Sequence, residues 1–447
     1  MRITYLKSAT VAIESNGVKI LTDPWITDGE YYGAWHHYPK FEMREDFFNT
    51  IDFIYVSHIH PDHFSKKSFS LLDKNIPVLI HSYESKFLKL NIERLGFKVL
   101  ELPHNTRTHL KNGVYINVLA ADNCNPEICS KFFGCGIVES KYGSTQIDTL
   151  SVFDDGEFVV VNTNDCPYDL ATEVLERVKA QYQKIDYLLV GYGGAGPYPQ
   201  CFSLKPEDME MAVAAKKNQF LLQGELYIAN LKPRYFQPFA GTYTLGGKLA
   251  KLQDFRGVPE IEEAMEFFNT SSSVSSTGGL GIMVNTYEYF DLKTSSISQP
   301  YIHTNKEAKM KYIQDHLSSK KLDYETEEFP TLDELLTFVE PAYRRMEEKR
   351  KEIGFVSDTK VLIRLIDNAF ISLSMKGEGF RIIEGDLIDT YNNYVNLTLD
   401  SRLLKWIFQG PRFAHWNNAE IGSHIHYVRK PNIFERGLYH SLNYFHI

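Results

Sequence analysis

The sequence predicts an α/β fold with a metal site at the end of one strand, followed by a smaller C-terminal α+β domain. Three observations carry this. Short apolar runs alternate with segments of helical spacing through the first half of the chain, the pattern of βαβ units. The stretch Ser57-His58-Ile59-His60-Pro61-Asp62-His63-Phe64 follows one of those runs and gathers three imidazoles and a carboxylate within six residues. From Thr359 onward the pattern changes to closely spaced short strands followed by a helix.

The elements follow in order. Ile3 to Leu6, Val11 to Glu14 and Val18 to Thr22 read as opening strands, the last running into Asp23-Pro24-Trp25. Residues 24 to 50 hold Trp25, Tyr31, Tyr32, Trp35, His36, His37 and Tyr38. Such a loop covers something: it is either a lid or substrate wall, or an Ω-loop packed on its own aromatics. Ile51 to Val56 is too short for a helix and rich in β-branched and aromatic residues, so it reads as a buried strand. Ser65 to Asp73 is helical, Pro77 to His81 a strand, Ser82 to Leu95 helical and Lys98 to Leu102 a strand. Phe158 to Thr163 is a buried strand that ends at Asn164-Asp165-Cys166, and Ile185 to Val190 is another.

Beyond residue 243 the alternation weakens. Ser271 to Gly279 reads as a flexible loop, and Lys306 to Glu352 as a charged, mostly helical face interrupted at Pro330 and Pro341. Val361 to Ile366, Ala369 to Met375 and Tyr394 to Leu399 are short strands, with a helix from about Ser401 to Phe408. The expected domains are a metal-binding domain at 1–255, a mostly helical connection at 256–354 and a small α+β domain at 355–447. The last faintly resembles sterol-carrier-type modules, which points to an apolar ligand or to contact with a second copy in a homo-oligomer.

The spacing of the histidine loop has a chemical reason. Neutral imidazoles and a carboxylate are ligands that zinc, iron and manganese share, and an incomplete protein shell leaves room for water or substrate. His58 and His60 are two apart, so in an extended segment they face one side and share an ion; Asp62 and His63, past the bend at Pro61, reach a second. The glycine-rich run Gly191 to Pro199 brings backbone N–H groups, notably at Gly193 and Gly194, within reach of an anion such as a substrate phosphate, or makes a tight turn with a close packing contact. It matches neither a Walker loop nor a dinucleotide fingerprint.

The His-x-His-x-Asp-His loop after a strand, with the strands and Asp-Pro before it, resembles the metallo-β-lactamase superfamily. The resemblance implies an αββα sandwich with two metals at the strand ends, an Asp that bridges them and further histidines from later strands. Asp165 fits the bridging position. The segment Tyr142 to Gln146, where another His is usual, has none, and neither does Tyr235 to Thr242; His104 is the best spare imidazole, while His81 reads as a satisfied core histidine. Asp23-Pro24-Trp25, Val161 to Cys166, Gly191 to Pro199, Lys232 to Gly241, Trp416-Asn417-Asn418 and Arg429 to Phe434 together look like the CMP-N-acetylneuraminate hydroxylase family. That likeness implies an iron-dependent oxygenase acting on a sugar nucleotide or similar polar small molecule. Its two metals would be held by His58, His60, Asp62, His63 and Asp165, with Arg234 or Lys232 near the substrate phosphate. The named family carries an N-terminal Rieske domain whereas this sequence opens on the sandwich strands, so the expected electron donor is a separate electron-transfer protein or another centre. The alternative is a hydrolase of an ester, lactone, amide or phosphodiester, resembling the L-ascorbate-6-phosphate lactonase branch. There Asp62 or Asp165 would orient an attacking hydroxide on zinc or manganese.

Composition sets outer limits. A chain of 447 residues, 43% hydrophobic and 23% charged, can bury at least one large core. The net charge of −9 argues against a general nucleic-acid binder. No secretory signal and no long apolar window stands out, so a cytoplasmic protein without a membrane span is expected. Five cysteines, at 124, 129, 135, 166 and 201, form no Cys-x-x-Cys pair and no evident disulfide framework; reduced thiols are expected.

Overall fold

The computed structural model describes residues 1–83, 86–120 and 148–447. Two mixed sheets face each other. The first has the strand order Ser296–Ile297, Tyr289–Asp291, Arg2–Lys7, Thr10–Ser15, Val18–Thr22, Phe53–Tyr55, Val78–His81, Val99–Leu102. The second runs Leu280–Gly281, Tyr235–Phe239, Tyr187–Gly191, Val159–Asn162, Thr149–Asp154, Val114–Ala120, Thr108–Lys111.

The pleat explains the layering. Val18, Ile20, Tyr187, Leu189 and Val160 point into the shared interior with Tyr55, Phe153 and Phe290. Their neighbours Leu21, Leu188, Val190 and Val161 point outward, where helices cover them. Because successive residues face opposite sides, strands buried on both faces read as unbroken apolar runs. Helices Tyr168–Gln181, Pro206–Leu231 and Ile261–Thr270 cover the second sheet. The single turn Lys66–Phe69 and helix Phe87–Arg94 cover the first. The layering is the αββα sandwich the sequence predicts.

The C-terminal unit is a five-stranded sheet ordered Phe380–Glu384, Ala369–Ser374, Lys360–Arg364, Tyr394–Thr398, His426–Lys430. It packs with helices Leu332–Glu352, Ser401–Phe408, Trp416–Ile421 and Arg436–Leu442. Its core is continuous with the aromatic insertion: Trp25, Tyr31, Trp35 and Tyr243 cluster with Leu335, Val361 and Leu403. Trp35 stacks on Tyr243 at 3.6 Å. The insertion thus packs on aromatics, while Tyr31 and Tyr32 also line the main cavity.

Three expectations change. The stretch 256–354 also carries short strands that extend both sheets: Leu280 pairs with Tyr235 and Phe290 with Ile3. Ser271 to Gly279 is not one continuous loop, because the Ser271 hydroxyl caps a helical turn at Ser272–Ser275. Pro341 lies inside helix Leu332–Glu352 instead of ending it, since Leu335, Val339, Ala342 and Met346 are buried on both sides of it. Among the described residues no helix is long and apolar enough to cross a membrane.

Phe290 lies 4.7 Å from the Tyr235 ring and 5.4 Å from that of Tyr187. Phe290→Ala is expected to destabilise the chain by about 3–5 kcal/mol. Ile297→Ala, on the exposed edge, should change stability by no more than about 0.5 kcal/mol; urea unfolding measures both.

Candidate metal centre

The site forms where parallel strands end. Strands Val18–Thr22 and Phe53–Tyr55 run side by side, so the residues beyond them, Asp23 and Ser57, meet. Asp23 Oδ1 accepts the Ser57 N–H at 2.7 Å, and Oδ2 accepts the Ser57 hydroxyl at 2.8 Å and lies 3.0 Å from His63 Nδ1. A tight turn follows, with the N–H groups of His63 and Phe64 both donating to the His60 carbonyl. The histidine loop is thereby tied at both ends.

On the other sheet, strand Thr149–Asp154 runs antiparallel to Val159–Asn162, so the residue just before one strand lands beside those just after the other. Asp148 and Asp165 therefore approach the histidine loop from the second sheet. Asn164 adopts a left-handed backbone (φ 46°) and donates through Nδ2 to the Thr149 carbonyl at 3.1 Å. The Thr149 hydroxyl donates to the Ser57 carbonyl at 2.9 Å. These bonds join the three ligand-bearing segments before any ion is considered.

Two donor groups result, each with ligand atoms within 4.8 Å of one another: His58, His60 and Asp148, and His58, His63 and Asp165. His58 Nε2 lies 2.9 Å from His60 Nδ1 and 3.3 Å from Asp148 Oδ1. His63 Nε2 lies 3.3 Å from Asp165 Oδ2 and 3.5 Å from Asp62 Oδ2. Donors about 2.0–2.2 Å from one tetrahedral ion are themselves about 3.4 Å apart, so these separations suit ligands sharing ions. Asp148 Oδ1 is also buried without a hydrogen-bond partner.

The electrostatics agree. Burial, then His63 and His60, holds the His58 imidazole well below its usual range, which keeps it neutral and able to coordinate. Burial also lowers His63, but Asp165, Asp62 and Asp23 outweigh it and raise that imidazole well above its usual range. Burial and the Asp165 charge push the Asp148 carboxyl far up. Both His63 and Asp148 thus hold protons that a bound cation would displace.

Tyr31 donates its hydroxyl to Asp62 Oδ1 at 2.5 Å. Tyr31 and Tyr32 have φ of 50° and 59°, a conformation costly for aromatic residues. The C-terminal unit holds them there. His424 Nε2 lies 2.7 Å from the Tyr31 carbonyl, and the His415 N–H donates to the Tyr32 hydroxyl at 2.8 Å. Asn417 of the same unit lines the cavity together with His60. The centre opens into a cavity of about 1340 Å³, where His60, Asp62, Asp148 and Asp165 are lining residues.

His58, His60, Asp62, His63 and Asp165 are brought together. His104 is not among them: it pairs with Val118 in an isolated bridge and lies 3.3 Å from His81 and 3.3 Å from Arg177. Arg234 is also elsewhere. It precedes strand Tyr235–Phe239, whose other end reaches the site, and donates to Ser295. Gly193 and Gly194 do line the cavity, but they also serve packing. A Cβ on Gly193 would lie 2.6 Å from Gly241 Cα, and one on Gly194 2.5 Å from the Phe220 ring. Asp148, Tyr31 and Asn417 are the additions that sequence reasoning missed as site residues. Asp148 was visible as a carboxylate just before an apolar strand, and Asn417 within the Trp416-Asn417-Asn418 run. Residues 142–146 and Cys124, Cys129 and Cys135 lie outside the described residues; Cys166 and Cys201 are buried free thiols.

A family model for the β-lactamase superfamily domain matches residues 2–124. A Mycolicibacterium smegmatis protein named for a Rieske 2Fe-2S iron-sulfur centre is 26% identical over 314 residues, covering 67% of this chain and 56% of the relative. Cytidine monophosphate-N-acetylneuraminic acid hydroxylase of Cricetulus griseus is 24% identical over 254 residues, covering 54% of this chain and 40% of the relative. The chain therefore spans about half the length of these curated relatives. Among solved structures, an isothiocyanate hydrolase from Delia radicum gut bacteria superposes with a TM-score of 0.45 at 14% identity, covering 65% of this chain and 99% of that one. The segment that bears the His58–His63 loop is thus similar to the β-lactamase superfamily domain.

Proposed function

We propose that this chain is a two-metal oxygenase, with iron as the favoured metal, that hydroxylates a sugar nucleotide or a similar small polar substrate. The observation that carries the reading is the grouping of His58, His60 and Asp148. Two imidazoles and one carboxylate beside an open cavity are the donor set of non-haem iron oxygenases. The second group, His58, His63 and Asp165, has the same composition, with Asp62 Oδ2 3.5 Å from His63 Nε2. The hydroxylase relative supports the same direction.

Bound iron would supply O₂ binding and reduction. The residues of this chain do the rest. Asp23 fixes His63 through Nδ1, so that Nε2 is the nitrogen left for a metal. Burial keeps the His58 imidazole neutral. Tyr31 occupies one oxygen of Asp62 and leaves the other toward His63; burial and the Asp62 charge raise the Tyr31 hydroxyl well above its usual range, so the proton of this pair stays on the tyrosine oxygen. Hydroxylation consumes two electrons besides O₂, and a separate electron-transfer protein is the proposed source. The Rieske name of one relative fits a donor of that kind.

One observation favours hydrolysis as the second reading. Asp62 and Asp165 both border the cavity, where either could orient a metal-activated water toward an ester, lactone, amide or phosphodiester.

Elemental analysis of protein purified without oxygen, with a spectrum before and after O₂, separates the two. Roughly two irons per chain that respond to O₂ support the oxygenase, and zinc or manganese with no response supports the hydrolase. His60→Ala and Asp148→Ala should each lose at least about half of the bound metal while the circular dichroism spectrum is retained, because the ligands sit at strand ends and not in the core. Asp23→Asn should weaken metal binding by about 10–100-fold, as removal of a histidine's supporting carboxylate does. Since His63 and Asp148 carry raised pKa values in the metal-free protein, binding must displace protons. Affinity measured by chelator competition should therefore fall with falling pH, by about tenfold per unit for each proton displaced.

A further inference from the structure

The outer part of the cavity carries a second set of recognition groups. In a chain of net charge −9, the wall supplied by the C-terminal unit is basic: Arg345, Arg412 and Arg429 line it, while the carboxylates Asp62, Asp148 and Asp165 gather at the metal centre. Arg429 lies on strand His426–Lys430, the edge of the C-terminal sheet. That edge is fastened to the sandwich, because the Tyr427 N–H donates to the Cys201 carbonyl at 2.8 Å and the Ser203 N–H to the Tyr427 carbonyl at 3.0 Å. The guanidinium is thereby laid over the Phe202 ring at 4.4 Å, with Tyr198 at 6.0 Å.

A stacked arginine on a fixed strand loses little freedom when it binds. No carboxylate pairs with Arg429 among the described residues, and its Nε is buried without a hydrogen-bond partner. Two acidic side chains of the same unit have partners of their own, although one of them, Glu420, also lines the cavity. Glu435 accepts from the Ser357 and Thr359 hydroxyls, and Glu420 accepts from Tyr427 at 2.9 Å. The glycine-rich loop borders the same cavity. Its carbonyls are held by Lys216 on Tyr198 at 2.6 Å and by Gln200 on Gly196 at 2.7 Å, and Gln200 also reaches Ser423 of the C-terminal unit at 3.1 Å.

We infer that the outer cavity is an oxyanion-binding subsite centred on Arg429, with Arg412 and Arg345 at its rim. It takes a phosphate or carboxylate group of the small molecule whose reacting end lies at the metal centre. The inference rests on the proposed reading only for that reacting end. It moves the anion contact from Arg234 to an arginine of the C-terminal unit.

Isothermal titration of the whole metal-loaded chain with inorganic phosphate, and separately with acetate, tests it. At least one of the two is expected to bind, and the tighter of them tells a phosphoryl from a carboxylate subsite. Arg429→Gln should weaken that binding by about tenfold or more, and Arg429→Lys, which keeps charge and bulk but loses the planar fork, by less. Metal content should stay unchanged in both. Should Arg429→Gln fail to fold, the Arg429→Lys comparison stands in for it. Absence of binding to the unaltered chain overturns the subsite, as does equal binding by both Arg429 variants and the unaltered chain. Binding lost in His60→Ala but kept in Arg429→Gln places the anion on the metal and overturns it too. If the chain holds no metal yet shows Arg429-dependent binding, the oxygenase reading falls and the subsite stands.

Discussion

Three carboxylates, Asp62, Asp148 and Asp165, share one largely buried corner with the imidazoles of His58 and His63. Like charges in a poorly solvated place repel, and burial adds a penalty to each ionised group. The protein on its own answers with protons: Asp148 is held protonated far above the usual carboxylate range, and His63 is held as a cation. A divalent ion would relieve both at once, replacing two displaced protons with a charge that the carboxylates attract. The supporting bonds fit that purpose. Asp23, Thr149 and Asn164 fix the three ligand segments through hydrogen bonds that involve no ligand oxygen facing the cluster, so the donors remain available.

The same corner depends on residues nearly four hundred positions away. Tyr31 reaches Asp62 only because two consecutive residues adopt a left-handed backbone, and that costs of order 1–3 kcal/mol each. The cost is met by packing: Tyr31 lies 4.5 Å from Trp35, which stacks on Tyr243, and the core that holds them continues into the C-terminal unit. A segment that looks like a lid in sequence is thus the joint through which two units share one core. The C-terminal unit is in this sense part of the metal centre's support and part of its cavity wall.

How much of this was legible depended on how local the cause was. The histidine loop could be read because its ligands are consecutive and sit after an apolar strand. Asp165 could be read because a strand end is where a ligand must lie. Asp148 was visible only as a carboxylate before an apolar strand, since what places it beside His58 is the antiparallel pairing of Thr149–Asp154 with Val159–Asn162, a long-range fact. Arg234 was misplaced for a related reason: it stands at the start of its strand, while the site is at the finish. His104 looked available because it follows a strand, but bridge pairing with Val118 draws it toward His81. Tyr289–Asp291 is three residues long, too few to show a period, and its pairing with Arg2–Thr4 and with Ser296–Ile297 is what makes it a strand.

Asp148 also bears on the choice between oxidation and hydrolysis. It follows closely on the segment Tyr142 to Gln146, where the resemblance implies an imidazole, and its carboxylate lies 3.3 Å from His58 Nε2. Exchanging a neutral donor for an anionic one adds a unit of negative charge to the ligand set, without changing the size of the shell. A more anionic shell makes the ion a weaker Lewis acid, which raises the pKa of bound water and works against the hydroxide that hydrolysis needs. The same added charge stabilises a metal that gives up electrons, which is what reduction of O₂ requires. A carboxylate at this position therefore favours, in electrostatic terms, the proposed redox chemistry over the hydrolytic alternative.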